Sequence, residues 1–87
     1  PQSLAAYIGL GNSYYAMGDL PSAAVVLNDA TARFPQEGVA YNNLAQVLWE
    51  QGKKQEALKA ARQAVKLGGP HAEQFRKTLD EIQSGSP

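Results

Sequence analysis

Apolar side chains fall at steps of three and four along the first part of the chain: Leu4, Tyr7, Leu10, Gly11 and Tyr14. That spacing puts them on one stripe of an amphipathic helix. Gly18 follows, a residue able to close a helix in the left-handed conformation. Asp19 then offers an acceptor that can cap the next helix, and Pro21 is tolerated in its first turn. Ala23, Ala24, Leu27 and Ala30 form the inner face of that second helix, which Pro35 ends. The same logic predicts a second pair over 36–51 and 54–67, with Gly52 between them. Gly11 or Ala45 facing Ala23 or Ala57 lets paired helices approach at the short end of the usual range of about 8–10 Å. A fifth helix is predicted over 71–83, with Ala72, Phe75, Leu79 and Ile82 as its buried stripe. Glu73–Lys77, Arg76–Asp80 and Lys77–Glu81 are i,i+4 pairs on its wet side.

The two pairs are copies of each other. A shift of 34 residues brings Ala6 onto Ala40, Tyr7 onto Tyr41 and Leu10 onto Leu44. It also brings Gly18 onto Gly52, Ala23 onto Ala57, and Ala30 onto Ala64. Asn12 meets Gln46, and Tyr15 meets Trp49. A fixed period of this length marks a stacked repeat. Tyr7-x-x-Leu10-Gly11-x-x-Tyr14, followed by Ala23-x-x-x-Leu27, Ala30 and Pro35, resembles the tetratricopeptide repeat pattern. Tyr7 stands where that family prefers Trp, and Leu27 where it prefers Phe. The second copy is looser: Tyr41-x-x-Leu44-Ala45-x-x-Leu48, then Ala57, Ala61 and Ala64, with Pro70 one residue late after Gly68-Gly69.

The resemblance covers residues 4–70 and implies an all-α fold, a right-handed α-α solenoid of two tetratricopeptide hairpins with a C-terminal capping helix. The expected layout is a first repeat over 1–35, a second over 36–70, the capping helix over 71–83 and an unstructured tail over 84–87. No Leu-Gly step follows Phe75 at the repeat spacing, so the last helix covers an open flank rather than starting a third repeat. Two repeats are fewer than the three or so that such arrays usually need, so stability is expected to be modest. Self-association into a homo-oligomer, or support from a neighbouring domain, would supply the remainder.

Composition narrows the function classes. Eight basic and eight acidic residues cancel, which removes the electrostatic footprint of a nucleic-acid binder or a polybasic membrane surface. No apolar run approaches the roughly 20 residues that span a bilayer, so no membrane insertion is expected. Cysteine is absent, which excludes disulfides and thiolate chemistry and leaves the compartment open. The start at Pro1-Gln2 without methionine, and the tail Ser84-Gly85-Ser86-Pro87, read as marks of a fragment or a processed chain.

Catalysis has little to work with. His71 is the sole histidine, sits beside Pro70 at a helix start and reads as a surface or capping residue. No HExxH, phosphate-cradling glycine loop or metal-ligand cluster occurs, so no enzyme activity, cofactor or metal is expected. Protein or peptide recognition fits better. The resemblance implies that Ile8, Asn12 and Tyr15 of the first repeat, with Asn42, Asn43, Gln46 and Trp49 of the second, face a concave groove. Positions 8, 12 and 15, like 42, 46 and 49, share a face by helical spacing. Tyr15 and Trp49 would form an aromatic wall, and the amides would hydrogen-bond a peptide backbone. A seat for Trp49 beneath the last helix is the competing arrangement.

Three further readings stand beside this one, two of them from resemblance. Asn12 and Asn43 match the two asparagines of domains that clamp a chaperone's C-terminal carboxylate, yet Ile8 stands where such domains carry a lysine. Only Arg76 or Lys77 remains to serve as a cation, too few for a strong carboxylate site. An assembly role, in which hairpin faces dimerise and the groove stays empty, is an alternative. The stretch 42–48, with 60–65 and Gly68-Gly69-Pro70, is also similar to the C-terminal repeat segment of bacterial papain-type (C39-like) cysteine peptidases. That would make the chain an accessory, substrate-positioning domain of a larger bacterial protein.

Overall fold

A computed structural model describes residues 3–85, and among them five helices and no strand occur. They are α1 (Leu4–Ala16), α2 (Leu20–Arg33), α3 (Gly38–Glu50), α4 (Lys54–Leu67) and α5 (Ala72–Ser84). The first helix of the second pair is therefore shorter at both ends than the 36–51 expected. The tail expected over 84–87 overlaps α5, since Ser84 is its last residue. Ser86 and Pro87, like Pro1 and Gln2, lie outside the described residues.

Local chemistry accounts for the boundaries. Ser3 caps α1 by accepting from the Ala6 amide at 3.1 Å, and Asp19 caps α2 by accepting from the Ser22 amide at 3.1 Å. Both hairpins close on the same turn. The amide of Asp19 donates to Tyr14 carbonyl and that of Lys53 to Leu48 carbonyl, each at 2.9 Å. Gly18 and Gly52 supply the left-handed step with φ of 79° and 80°. Two turns built alike, 34 residues apart, are the backbone expression of the repeat.

Each helix packs on the next in chain order, and α1 with α3 and α3 with α5 also meet. By contrast, α2 and α4 are not packed against each other. The odd helices thus converge on an inner side while the even ones splay outward, which is how a stacked-hairpin array curves. The main core joins Ala23 and Leu27 of α2 to Leu44, Ala45, Val47 and Leu48 of α3, and continues through α4 to Ile82. Tyr7, Ala30 and Ala40 form a smaller cluster capped by Phe34, whose ring meets Tyr7 edge-on at 6.1 Å.

Two expectations need correction. Leu10 does not sit in the buried stripe: it is 38 % exposed, against 7 % for its repeat partner Leu44. Leu44 is covered by the hairpin before it, whereas none of the described residues stacks on the outer side of α1. The close approach at Gly11 is to Leu27 rather than Ala23. A Cβ on Gly11 would lie 2.7 Å from Leu27 Cδ2 and 2.8 Å from Cγ. A similar fit anchors α5, where Phe75 packs so closely on Gly38 that a Cβ there would meet its ring at 2.5 Å. The buried positions of α5 are Phe75, Thr78 and Ile82, with Leu79 only half-buried. His71 precedes this helix as an exposed residue whose side chain makes no capping bond.

Candidate functional site

The inner helices α1, α3 and α5 bring some of the expected groove residues together and withdraw others. Asn12 and Tyr15 are exposed on α1, and Asn43, Gln46 and Trp49 are half-buried on α3. Asn43 Nδ2 donates to Asn12 Oδ1 at 3.5 Å, a long bond that spans the two helices. Ile8 is half-buried and packs against both core clusters, so it offers the groove an edge at most. Asn42 occupies the equivalent seat one repeat later and is 5 % exposed, with no partner for Oδ1 among the described residues. Its amide belongs to the helix packing, not to the groove surface.

Tyr15, Gln46 and Trp49 converge on one niche of about 430 Å³, completed by Glu50 and by Thr78 and Glu81 of α5. Trp49 therefore takes both seats that the sequence left open. It packs on the main core and also lines the niche beside α5. Its indole Nε1 is buried without a partner among the described residues, as is Thr78 Oγ1. The Tyr15 hydroxyl donates to the Glu50 carboxylate, tying α1 to the end of α3. That bond, reinforced by burial and by the negative charge of Glu50, raises the Tyr15 pKa above its ordinary 10.0.

The niche is electrostatically one-sided. Glu50 and Glu81 line it, and no basic side chain does. Arg76 and Lys77 instead border a separate shallow depression with Glu73, Gln74 and Asp80. They do not join Asn12 and Asn43, and a carboxylate ligand finds no paired cations at the niche.

Glu50, Thr78 and Glu81 were absent from the expected site. Glu50 reads from its sequence as a solvated helix-face charge, yet it stands beside Trp49 and bonds the Tyr15 hydroxyl. Thr78 carries a signal in its spacing, since 75, 78 and 82 share a face at i, i+3 and i+7. A second hollow of about 450 Å³ opens on the outer side, where Asn28 and Thr31 of α2 face Lys59 and Ala60 of α4 across Leu44 and Leu48. It is the gap left by two outer helices that do not meet.

No group of three or more His, Cys, Asp or Glu residues among the described residues is placed to hold a metal ion. No described helix is long and apolar enough to cross a membrane. No curated protein matches the chain. The family model for the tetratricopeptide repeat matches residues 8–72. Repeats of this kind generally mediate protein–protein interactions and typically serve as non-catalytic scaffolds. With that match spanning well over half of the chain, and α1 to α4 stacked as two consecutive hairpins within it, the chain belongs to the tetratricopeptide repeat family.

Proposed function

We infer that the chain recognises an extended protein segment along the inner face of α1, α3 and α5. The observation that carries this reading is the shared niche of Tyr15 and Trp49, the aromatic pair related by the 34-residue repeat. The amides of Asn12, Asn43 and Gln46 lie along the same face and suit a peptide backbone, since each both donates and accepts. At the niche, Trp49 offers an apolar and π-rich surface while Glu50 and Glu81 supply negative charge. The side chain that fits this chemistry has an aliphatic stem and a cationic head, as lysine and arginine do.

Selection from a random displayed-peptide library, followed by calorimetric titration of the recovered peptides, tests the reading. Recovered peptides should carry Lys or Arg, and Tyr15→Ala should weaken them by about 1–3 kcal/mol, the scale of an interface hot spot. Tyr15 is exposed, so this change leaves the core intact. Trp49→Phe keeps a half-buried ring in the core but shrinks the π surface that lines the niche, and should also lower affinity. Peptides that bind both variants as tightly as the parent would place the binding surface elsewhere.

A further inference from the structure

Helix α5 lies 34 residues beyond α3, as Ala72–Ser84 follows Gly38–Glu50, so the two hold matching seats. The junction of α3 with α5 can therefore be compared, seat by seat, with that of α1 and α3. Glu50 and Glu81 line the niche at the later junction. One repeat earlier the same two seats hold Ala16 and Val47, which carry no charge. The stacked-hairpin fold itself thus demands no acid at either place. Two acids at one opening, with no basic side chain lining it, repel each other unless a cation from outside answers them.

The lining selects among cations. Trp49 offers an indole ring, and the walls around it are mostly apolar. A guanidinium is weakly hydrated and stacks flat on such a ring, whereas an ammonium holds its water tightly. The Tyr15 hydroxyl occupies Oε2 of Glu50, which leaves Oε1 for a further donor. Glu81 reaches the niche from α5 and is exposed, with a carboxylate that suits the paired donors of one guanidinium edge. Thr78 lines the same hollow at 1 % exposure, and its hydroxyl has no partner among the described residues. A buried polar group of this kind calls for a donor, and a ligand can bring one. Acceptors thus come from two helices, and the forked, many-donor guanidinium meets them better than a compact ammonium.

We propose that the niche is an arginine seat, in which a guanidinium stacks on Trp49 and bridges Glu50 of α3 to Glu81 of α5. This rests on the reading of the inner face as a peptide-binding surface, and it narrows the cationic side chain from lysine or arginine to arginine. Filling the seat ties α5 to α3 through the ligand.

Trp49 is the sole tryptophan, so its indole N–H gives a single nuclear magnetic resonance signal placed at the niche. The full chain, labelled with nitrogen-15, is titrated with three capped pentapeptides, alike but for a central arginine, lysine or citrulline. Arginine should move the indole signal and bind about tenfold tighter than lysine, the scale of one charge-assisted hydrogen bond. Citrulline keeps the length and the planar end but lacks the charge, and should bind about tenfold or more weaker than arginine. Glu81→Gln should weaken arginine about tenfold and close most of its lead over lysine, with helicity unchanged because Glu81 is exposed. Glu73→Gln, on α5 but outside the niche, should change nothing. Arginine and lysine binding alike would overturn the arginine seat while leaving a cation site in place. Citrulline matching arginine, or Glu81→Gln without effect, would overturn it as well. An indole signal that none of the three moves would overturn both the seat and the niche reading on which it stands.

Discussion

Replacing Gly11 by alanine tests how the first hairpin is held together. In the middle of a helix this change ordinarily stabilises by about 1 kcal/mol, because glycine is the more flexible residue when unfolded. Here the new methyl would stand 2.7 Å from Leu27 Cδ2 and 2.8 Å from Cγ. Leu27 is only 1 % exposed and has nowhere to retreat, so the clash costs about 1–3 kcal/mol as an overpacked core does. The net expectation for Gly11→Ala is a loss of about 0–2 kcal/mol, the reverse of the usual sign or at best no gain. Leu27→Ala alone leaves a hole and costs about 2–5 kcal/mol. The second repeat carries Ala45 and Ala61 in these two seats, both fully buried, so alanine facing alanine is a fit the fold already accepts. The double variant should therefore lose less than the sum of the singles, by about 1–3 kcal/mol. Urea unfolding of the four proteins by far-ultraviolet circular dichroism, at one fixed protein concentration, gives the cycle directly. Stabilisation of Gly11→Ala by the full propensity gain, with an additive double variant, would refute the reasoning.

Two more expectations follow from particular side chains. Thr78 is 1 % exposed and its hydroxyl has no partner among the described residues, so Thr78→Val removes an unpaired polar group while keeping the side-chain shape. It should raise stability by about 1 kcal/mol, and a comparable loss in chemical unfolding would mean that the hydroxyl is satisfied. Tyr15 titrates above 10.0, so the contribution of its bond to Glu50 is whole below that pH and fades as pH climbs past the raised value. Ultraviolet titration should show a late tyrosine component that Tyr15→Phe abolishes and Glu50→Ala moves earlier. A titration indifferent to Glu50 would sever that pair.

Helix positions and their pairing were legible because the forces that set them act within a few residues. Spacing of three and four between apolar groups encodes a helix stripe, and a glycine with left-handed φ or a capping aspartate acts on its immediate neighbours. Gly18, Asp19 and Gly52 accordingly do what their types predict. The 34-residue shift carries further, since equal local sequences build equal turns, and it correctly relates Tyr15 to Trp49. Tyr15 and Trp49, equal seats on neighbouring hairpins, do line one niche, together with Gln46.

What the repeat could not convey is which copy of a seat is covered. Leu10 and Leu44 are identical residues in matching contexts, yet one is open and the other buried, because burial depends on the hairpin alongside and not on the helix itself. Ile8 and Asn42 share a seat with opposite chemistry, and packing pulled the polar one inside. Glu50 meets Tyr15 only because α1 packs on α3, and Thr78 and Glu81 join the niche only because α5 packs back on α3, contacts between segments that no local period records. Periodicity in this chain determined the helices and their equivalence. Tertiary stacking decided which faces meet water, because that depends on neighbours far along the chain.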